Sequence, residues 1–190
     1  MPRVKGERRL EILKALAQML EQPKWGKITT AALAEKLDVS EAALYRHFAS
    51  KAQMYEGLIE FIESSVFTLA NKIAGDEADG GRQATKLVEM LLAFAEKNPG
   101  MVRVMTGDAL VGEHERLQAR MNQFYDRFEA TLKQALRAPG EGAKASDADV
   151  GAHAGMLVRY VIGCLHQYAK SGFTKKPTES LAAQRRFLAV

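Results

Sequence analysis

Between Thr29 and Lys51, hydroxyls, ring donors and cations alternate with very short side chains, a combination suited to nucleic acid. Thr30, Ser40, Tyr45, His47 and Lys51 supply the donors and positive charge that meet phosphates. Ala42 and Ala43 are short enough to approach base edges closely and to contact thymine methyl groups. Lys51 falls at the start of an expected helix, where the dipole disfavours a cation, so an external anion gives it a reason to be there. Singly, each residue also has an ordinary role: His47 at a core edge beside Phe48, Tyr45 as a packed ring, Lys51 as a solvated charge. Their joint placement is what points to DNA.

The elements that must position these residues are two short helices joined by a tight turn, expected from about Thr30 to Leu37 and from about Glu41 to Phe48. Small Ala34 lets the two helices approach, Val39 plugs the turn, and Leu33, Leu37, Leu44 and Phe48 form the buried face. Ser40, Ala42, Ala43, Tyr45, Arg46 and His47 are then left near the start or on the outer face of the second helix, where a recognition helix meets the major groove. Charge agrees with this assignment. Residues 1–51 hold ten Lys and Arg against six Asp and Glu, whereas the remainder holds seventeen of each, so the whole net charge of +4 sits in the first quarter.

The rest of the chain predicts further helices. Leu10, Leu13, Leu16, Ala17 and Leu20 define an amphipathic first helix, and Ser50 followed by Gln53 has the form of a capping box opening a long helix that ends near Gly75. A loop over residues 76–81, a helix from about Gln83 to Lys97, a short helix at 101–106, a long helix marked by Leu117 to Leu136, another from Ser146 to about Ser171, and a last one after Pro177 and Thr178 complete the pattern. The prolines at 2, 23, 99, 139 and 177 all fall where periodicity stops. No segment has strand period. The expected fold is all-α, with a helix-turn-helix domain over residues 1–50 and a helical dimerisation and partner-binding domain over 51–190.

Composition narrows the function classes. A hydrophobic fraction of 47% excludes disorder, and 26% charged residues without a long apolar run exclude a transmembrane protein. The basic N-terminus is followed by Glu11, Lys14 and Gln18, which no signal peptide would carry, so a cytoplasmic location is expected. Cys164 stands alone, and His47, His114, His153 and His166 lack ligand spacing, so neither a metal nor a cofactor is expected. With no phosphate loop after a strand and no base beside Cys164, the chain reads as a non-enzyme. Val150, Ala154, Leu157, Val158, Val161, Ile162 and Leu165 form an apolar stripe with Gly151, Gly155 and Gly163 on one helix, which suits either an intrachain core or a dimer interface. Dimerisation is preferred because two recognition helices are needed for half-sites about 34–36 Å apart.

The string Thr29-Thr30-Ala31-x-Leu33-Ala34, followed by Val39 through Phe48 and then Ser50-Lys51, resembles the DNA-binding domain of the TetR family. Leu58 through Glu63, Asn98-Pro99-Gly100, the segment Met105-Thr106-Gly107-x-Ala109-Leu110, and Leu117-Gln118-x-Arg120-x-Asn122-Gln123 extend the resemblance to that family's nucleoid occlusion factors. The resemblance implies an Ω-shaped homodimer on palindromic double-stranded DNA sites, nucleoid-associated, with higher-order assembly on DNA open. It also implies that the DNA-bound form takes the C-terminal tail of the division GTPase FtsZ in a groove between the fourth and fifth helices. Carried over, the DNA contacts are Thr29, Thr30, Ser40, Ala42, Ala43, Tyr45, Arg46, His47 and Lys51, and the groove uses Phe61, Met90, Ala93, Lys97 and Asn98. Met90 and Ala93 are substitutions there, and Leu69 stands where a basic residue is expected. From periodicity alone Phe61 would be core. The competing function is a transcriptional repressor released from its operator by a small molecule.

Overall fold

The structure is a computed structural model that describes residues 5–22, 26–138, 140 and 146–188. Pro2, Pro23, Pro139 and most of the loop expected around Pro139 lie outside the described residues. Nine α-helices are described: α1 Lys5–Leu20, α2 Thr30–Lys36, α3 Glu41–Tyr45, α4 Lys51–Asp76, α5 Gly80–Lys97, α6 Pro99–Met105, α7 Glu115–Leu136, α8 Asp147–Lys170 and α9 Leu181–Leu188. A 3-10 turn at Asp108–Leu110 separates α6 from α7, and no strand occurs among the described residues.

The head is built as the apolar spacing requires. Ile12, Leu16, Leu20, Leu33, Leu44 and Phe48 are all buried, and Leu37 and Val39 pack against them from the turn. That turn takes Asp38 into the left-handed region (φ 53°), which Asp tolerates better than bulkier residues. Both short helices stop earlier than expected, at Lys36 and Tyr45, because Leu37 and Arg46 act as C-caps whose N–H groups turn back to Ala34 and Ala42 carbonyls.

Ser50 caps α4 by accepting from the Gln53 N–H at 3.2 Å. The return arm of the expected capping box shifts by one residue, since Gln53 Oε1 accepts from the Ala49 N–H at 2.8 Å. The predicted loop over 76–81 is half absorbed into helix, leaving residues 77–79 as the connection. α4 runs to Asp76, and Asp79 starts α5 at Gly80 by accepting the Arg82 N–H at 2.8 Å. Pro99 occupies the first turn of α6, where its missing N–H costs nothing. Ser146 and Asp149 form a complete capping box at the start of α8.

In the body, α4, α5, α7 and α8 enclose a core centred on aromatic rings. Phe67 and Phe124 lie 5.5 Å apart, Phe124 stacks nearly parallel on Phe128 at 6.5 Å, and all three are buried. Head and body meet where α1 crosses α6. A Cβ on Gly100 would sit 2.1 Å from the Ala17 carbonyl oxygen, so this crossing requires glycine. Beside it, buried Arg103 donates from Nε to the Leu20 carbonyl at 2.8 Å and from Nη2 to that of Gln22 at 3.4 Å, and its guanidinium lies 4.7 Å from the Phe173 ring centroid. The charge thus terminates α1 at the negative end of its dipole while belonging to α6.

Candidate nucleic-acid interface and partner groove

The nine residues expected to meet DNA fall on the outer side of α2, α3 and the start of α4, but not all are equally free. Thr29 and Ser40 are the N-caps of α2 and α3, their oxygens accepting the N–H groups of Ala32 at 3.1 Å and Ala43 at 3.2 Å. Each hydroxyl keeps its own O–H available as a donor. Thr30 donates to Glu41 at 2.5 Å and accepts from the Tyr45 phenol at 3.4 Å, a chain that ties the start of α2 to both ends of α3. Ala42 and Arg46 are exposed, Ala43 is half-buried, and Tyr45 remains 45% exposed.

His47 is half-buried, and its Nδ1 is enclosed with no hydrogen-bond partner among the described residues. Its carbonyl accepts from Arg9 at 2.5 Å, and the same guanidinium lies 4.2 Å from the centroid of the Phe48 ring. Arg9 therefore clamps the end of the recognition helix onto α1. Lys51 is ion-paired with Glu113, which lies 62 residues away between the 3-10 turn and α7, and its ammonium stands 5.6 Å from the Tyr55 ring centroid. Sequence reasoning missed Arg9, Glu41 and Glu113. Only Glu41 had a local signal, as an acidic first-turn residue of α3; the other two act through contacts that no spacing encodes.

The five residues expected to form the groove are Phe61 on α4, Met90, Ala93 and Lys97 on α5, and Asn98 at the α5 C-cap, and α4 packs against α5. Phe61 is 41% exposed, so the structure corrects the core placement that periodicity favours, and its ring centroid lies 6.4 Å from that of Phe94. Lys97 is exposed, while Met90, Ala93 and Asn98 are half-buried. Met90, Ala93 and Lys97 share one face of α5 by their three- and four-residue spacing. Asn98 donates from Nδ2 to the Phe94 carbonyl at 2.7 Å, which closes α5 and fixes the corner into α6. Leu69, 43% exposed, sits about 12 Å further along α4 by the helical rise and leaves that end of the groove apolar.

Cys164 is half-buried beside Tyr160. Burial pushes its thiol above the ordinary range, outweighing its hydrogen bond with Tyr160. Alkylation by iodoacetamide at pH 7.5 should accordingly run at least about tenfold slower than for free cysteine, and a rate equal to or above the free thiol would contradict this placement. Among the described residues no cluster of three His, Cys, Asp or Glu side chains is placed to hold a metal, and no helix is long and apolar enough to cross a membrane.

Residues 12–58 match the bacterial regulatory proteins of the tetR family, and residues 82–190 match the tetracyclin repressor-like C-terminal domain of the SlmA-like type. The nucleoid occlusion factor SlmA of Alteromonas mediterranea is 51% identical over 187 residues, covering 97% of this chain and 95% of that protein. That of Marinomonas is 47% identical, covering 100% of this chain and 96% of its own length. The chain belongs to the SlmA branch of the TetR family. A TetR transcription regulator from Haloarcula marismortui superposes with a TM-score of 0.77 at 16% identity, covering 97% of both chains. The transcriptional regulator FadR of Bacillus subtilis, in complex with stearoyl-CoA, gives 0.73 at 12% identity, covering 95% of this chain and 97% of that one. At such identities these two establish the shared fold alone.

Proposed function

We propose that this nucleoid occlusion factor works as a cytoplasmic, nucleoid-associated homodimer. In this reading, residues 1–50 hold palindromic chromosomal sites and residues 51–190 present the α4–α5 groove to the C-terminal tail of FtsZ, blocking division-ring assembly over the nucleoid. The observation that carries it is the continuity of α4. One unbroken helix bears Lys51 at its DNA end and Phe61 ten residues, or about 15 Å, further on, so the two surfaces are separate yet rigidly linked. Half-exposed Phe61 meets the ring of Phe94, and exposed Lys97 follows Phe94 one turn on along α5, which together offer an apolar anchor and a charge, the pair of features a short peptide needs. The competing reading, a repressor released by a small molecule, requires interior space among α5 to α8. Buried Phe124 and Phe128 of α7 lie nearly parallel there, with Phe67 of α4 tilted against Phe124.

Titration of a labelled FtsZ tail peptide against the DNA-bound protein tests the partner. Saturable binding is expected, weakened at least about tenfold by Phe61→Ala while DNA affinity stays within about twofold. No saturation at high micromolar peptide would sink the partner assignment.

The Lys51–Glu113 pair adds a second expectation for the DNA end. A phosphate that takes Lys51 must first win it from Glu113, so Glu113→Gln should strengthen binding to DNA of any sequence by about two- to fivefold at low salt. Unchanged or weaker binding would mean that Lys51 stays with the body when DNA binds.

A further inference from the structure

Tyr55 is a buried phenol without a hydrogen bond. The residue is 1% exposed, and its hydroxyl has no partner among the described residues, although a buried phenol ordinarily finds one. It lines an open pocket of about 200 Å³ between the segment leading into α2, the second turn of α4 and the turn joining α6 to α7, with Lys27, Ile28, Asp108, Ala109 and Glu113 among the other walls. Tyr55 follows Lys51 by one turn of α4, so the pocket opens beside the residue that meets phosphate.

Without DNA the charges here are settled. Lys51 is paired with Glu113, whose side chain is only 12% exposed, and Asp108 lies in the field of buried Arg103. Lys27 is exposed and makes no ion pair among the described residues. A phosphate that draws Lys51 away therefore strands one carboxylate, that of Glu113, in a largely desolvated place, and a buried charge stripped of its partner is costly.

We propose that Lys27 and Tyr55 are positioning residues for DNA binding, receiving the Glu113 carboxylate when a phosphate takes Lys51. The inference rests on the reading of Lys51 as a phosphate contact. The phenol donates to the carboxylate, and Lys27 folds into the pocket to replace the lost ammonium. Burial, reinforced by the Glu113 charge, pushes the phenol above its ordinary range, so it keeps its proton and remains a donor. The pocket supplies the room, and Ile28 and Ala109 give the lysine stem an apolar wall to lie along. The hollow and the idle hydroxyl then have one cause, since both serve the arrangement that DNA brings about. Neither residue touches DNA; both act through Glu113.

Anisotropy titrations of a labelled duplex at several salt concentrations, on the full chain and on Lys51→Ala, Lys27→Met and Tyr55→Phe, the last two with and without Glu113→Gln, decide the matter. Lys27→Met and Tyr55→Phe should each weaken binding about three- to tenfold, counting both heads of the dimer, with the salt slope unchanged. In the Glu113→Gln background, where no stranded charge needs a partner, each should lie within about 1.5-fold of Glu113→Gln alone. The melting temperature of Tyr55→Phe without DNA should be no lower than wild type, because the hydroxyl has no bond to lose there. Losses that persist with Glu113→Gln and lower the salt slope would assign Lys27 directly to a phosphate and overturn the proposal. DNA affinity within about 1.5-fold of wild type in both single variants, with Lys51→Ala still costly, overturns it too and leaves the Lys51 contact standing. A loss confined to one variant removes the other residue from the role, and a lower melting temperature for Tyr55→Phe removes Tyr55. An unchanged affinity for Lys51→Ala sinks the phosphate contact itself and the proposal with it.

Discussion

Gly100→Ala should lower the melting temperature by roughly 2–12 °C, because a single added methyl group has nowhere to go. Its carbon would stand 2.1 Å from the Ala17 carbonyl oxygen, 2.9 Å from its carbon and 3.3 Å from its Cα, all main-chain atoms of a helix that cannot rotate aside. The two helices must separate by about 1 Å, and overpacking of this kind costs about 1–3 kcal/mol, with each kcal/mol shifting the melting temperature by about 2–4 °C in a domain of this size. The consequence is more than thermal. α1 also carries Arg9, which holds the His47 carbonyl, so displacement at the α1–α6 crossing is passed to the recognition helix, and DNA affinity should fall by about tenfold at a temperature where the protein is still folded. Calorimetry beside an anisotropy titration checks both. A melting temperature within 2 °C of wild type would show that α1 and α6 adjust more freely than the geometry allows.

Lys51→Ala is expected to produce the largest loss of DNA binding from a single change among the residues expected to meet DNA. A phosphate contact of this type contributes about 1 kcal/mol, the homodimer makes it twice, and the combined loss is roughly 10- to 30-fold. The loss should be nearly the same on specific and random DNA, and the slope of log affinity against log salt should fall by about two, one per head. Substitutions of Ala42, which is exposed on α3, should instead change the preference between sequences with little change in salt slope. Equal losses on specific and random DNA for both positions would contradict the division between backbone contact and base contact.

Much of this architecture is legible in the amino-acid sequence, and the reason is periodicity. Leu33 and Leu44 on the short helices, Phe48 just past the second of them, and Met54, Leu58, Ile62 and Val66 on the long one repeat at the helical spacing and are all buried. Caps were equally readable where the donor is local, as at Ser50 and Ser146. What the sequence does not carry is pairing across distance. Nothing near Lys51 announces Glu113, nothing in α1 announces that Arg103 will satisfy its last carbonyls, and the requirement for glycine at position 100 arises only when α6 lies on α1. Phe61 shows the same limit from the other side. Flanked by Leu58 and Ile62, it has the spacing of a core residue, yet with its ring 6.4 Å from that of Phe94 on α5 it remains 41% exposed.

The central claim is that DNA and the division GTPase meet on one molecule. GTP-dependent FtsZ assembly, followed by sedimentation, should fall in the presence of this protein together with DNA carrying its palindromic site, fall much less with the protein and random DNA, and recover when Phe61→Ala replaces the wild type. Full FtsZ assembly at every protein and DNA concentration, with the protein demonstrably bound to its site, would contradict the nucleoid occlusion account.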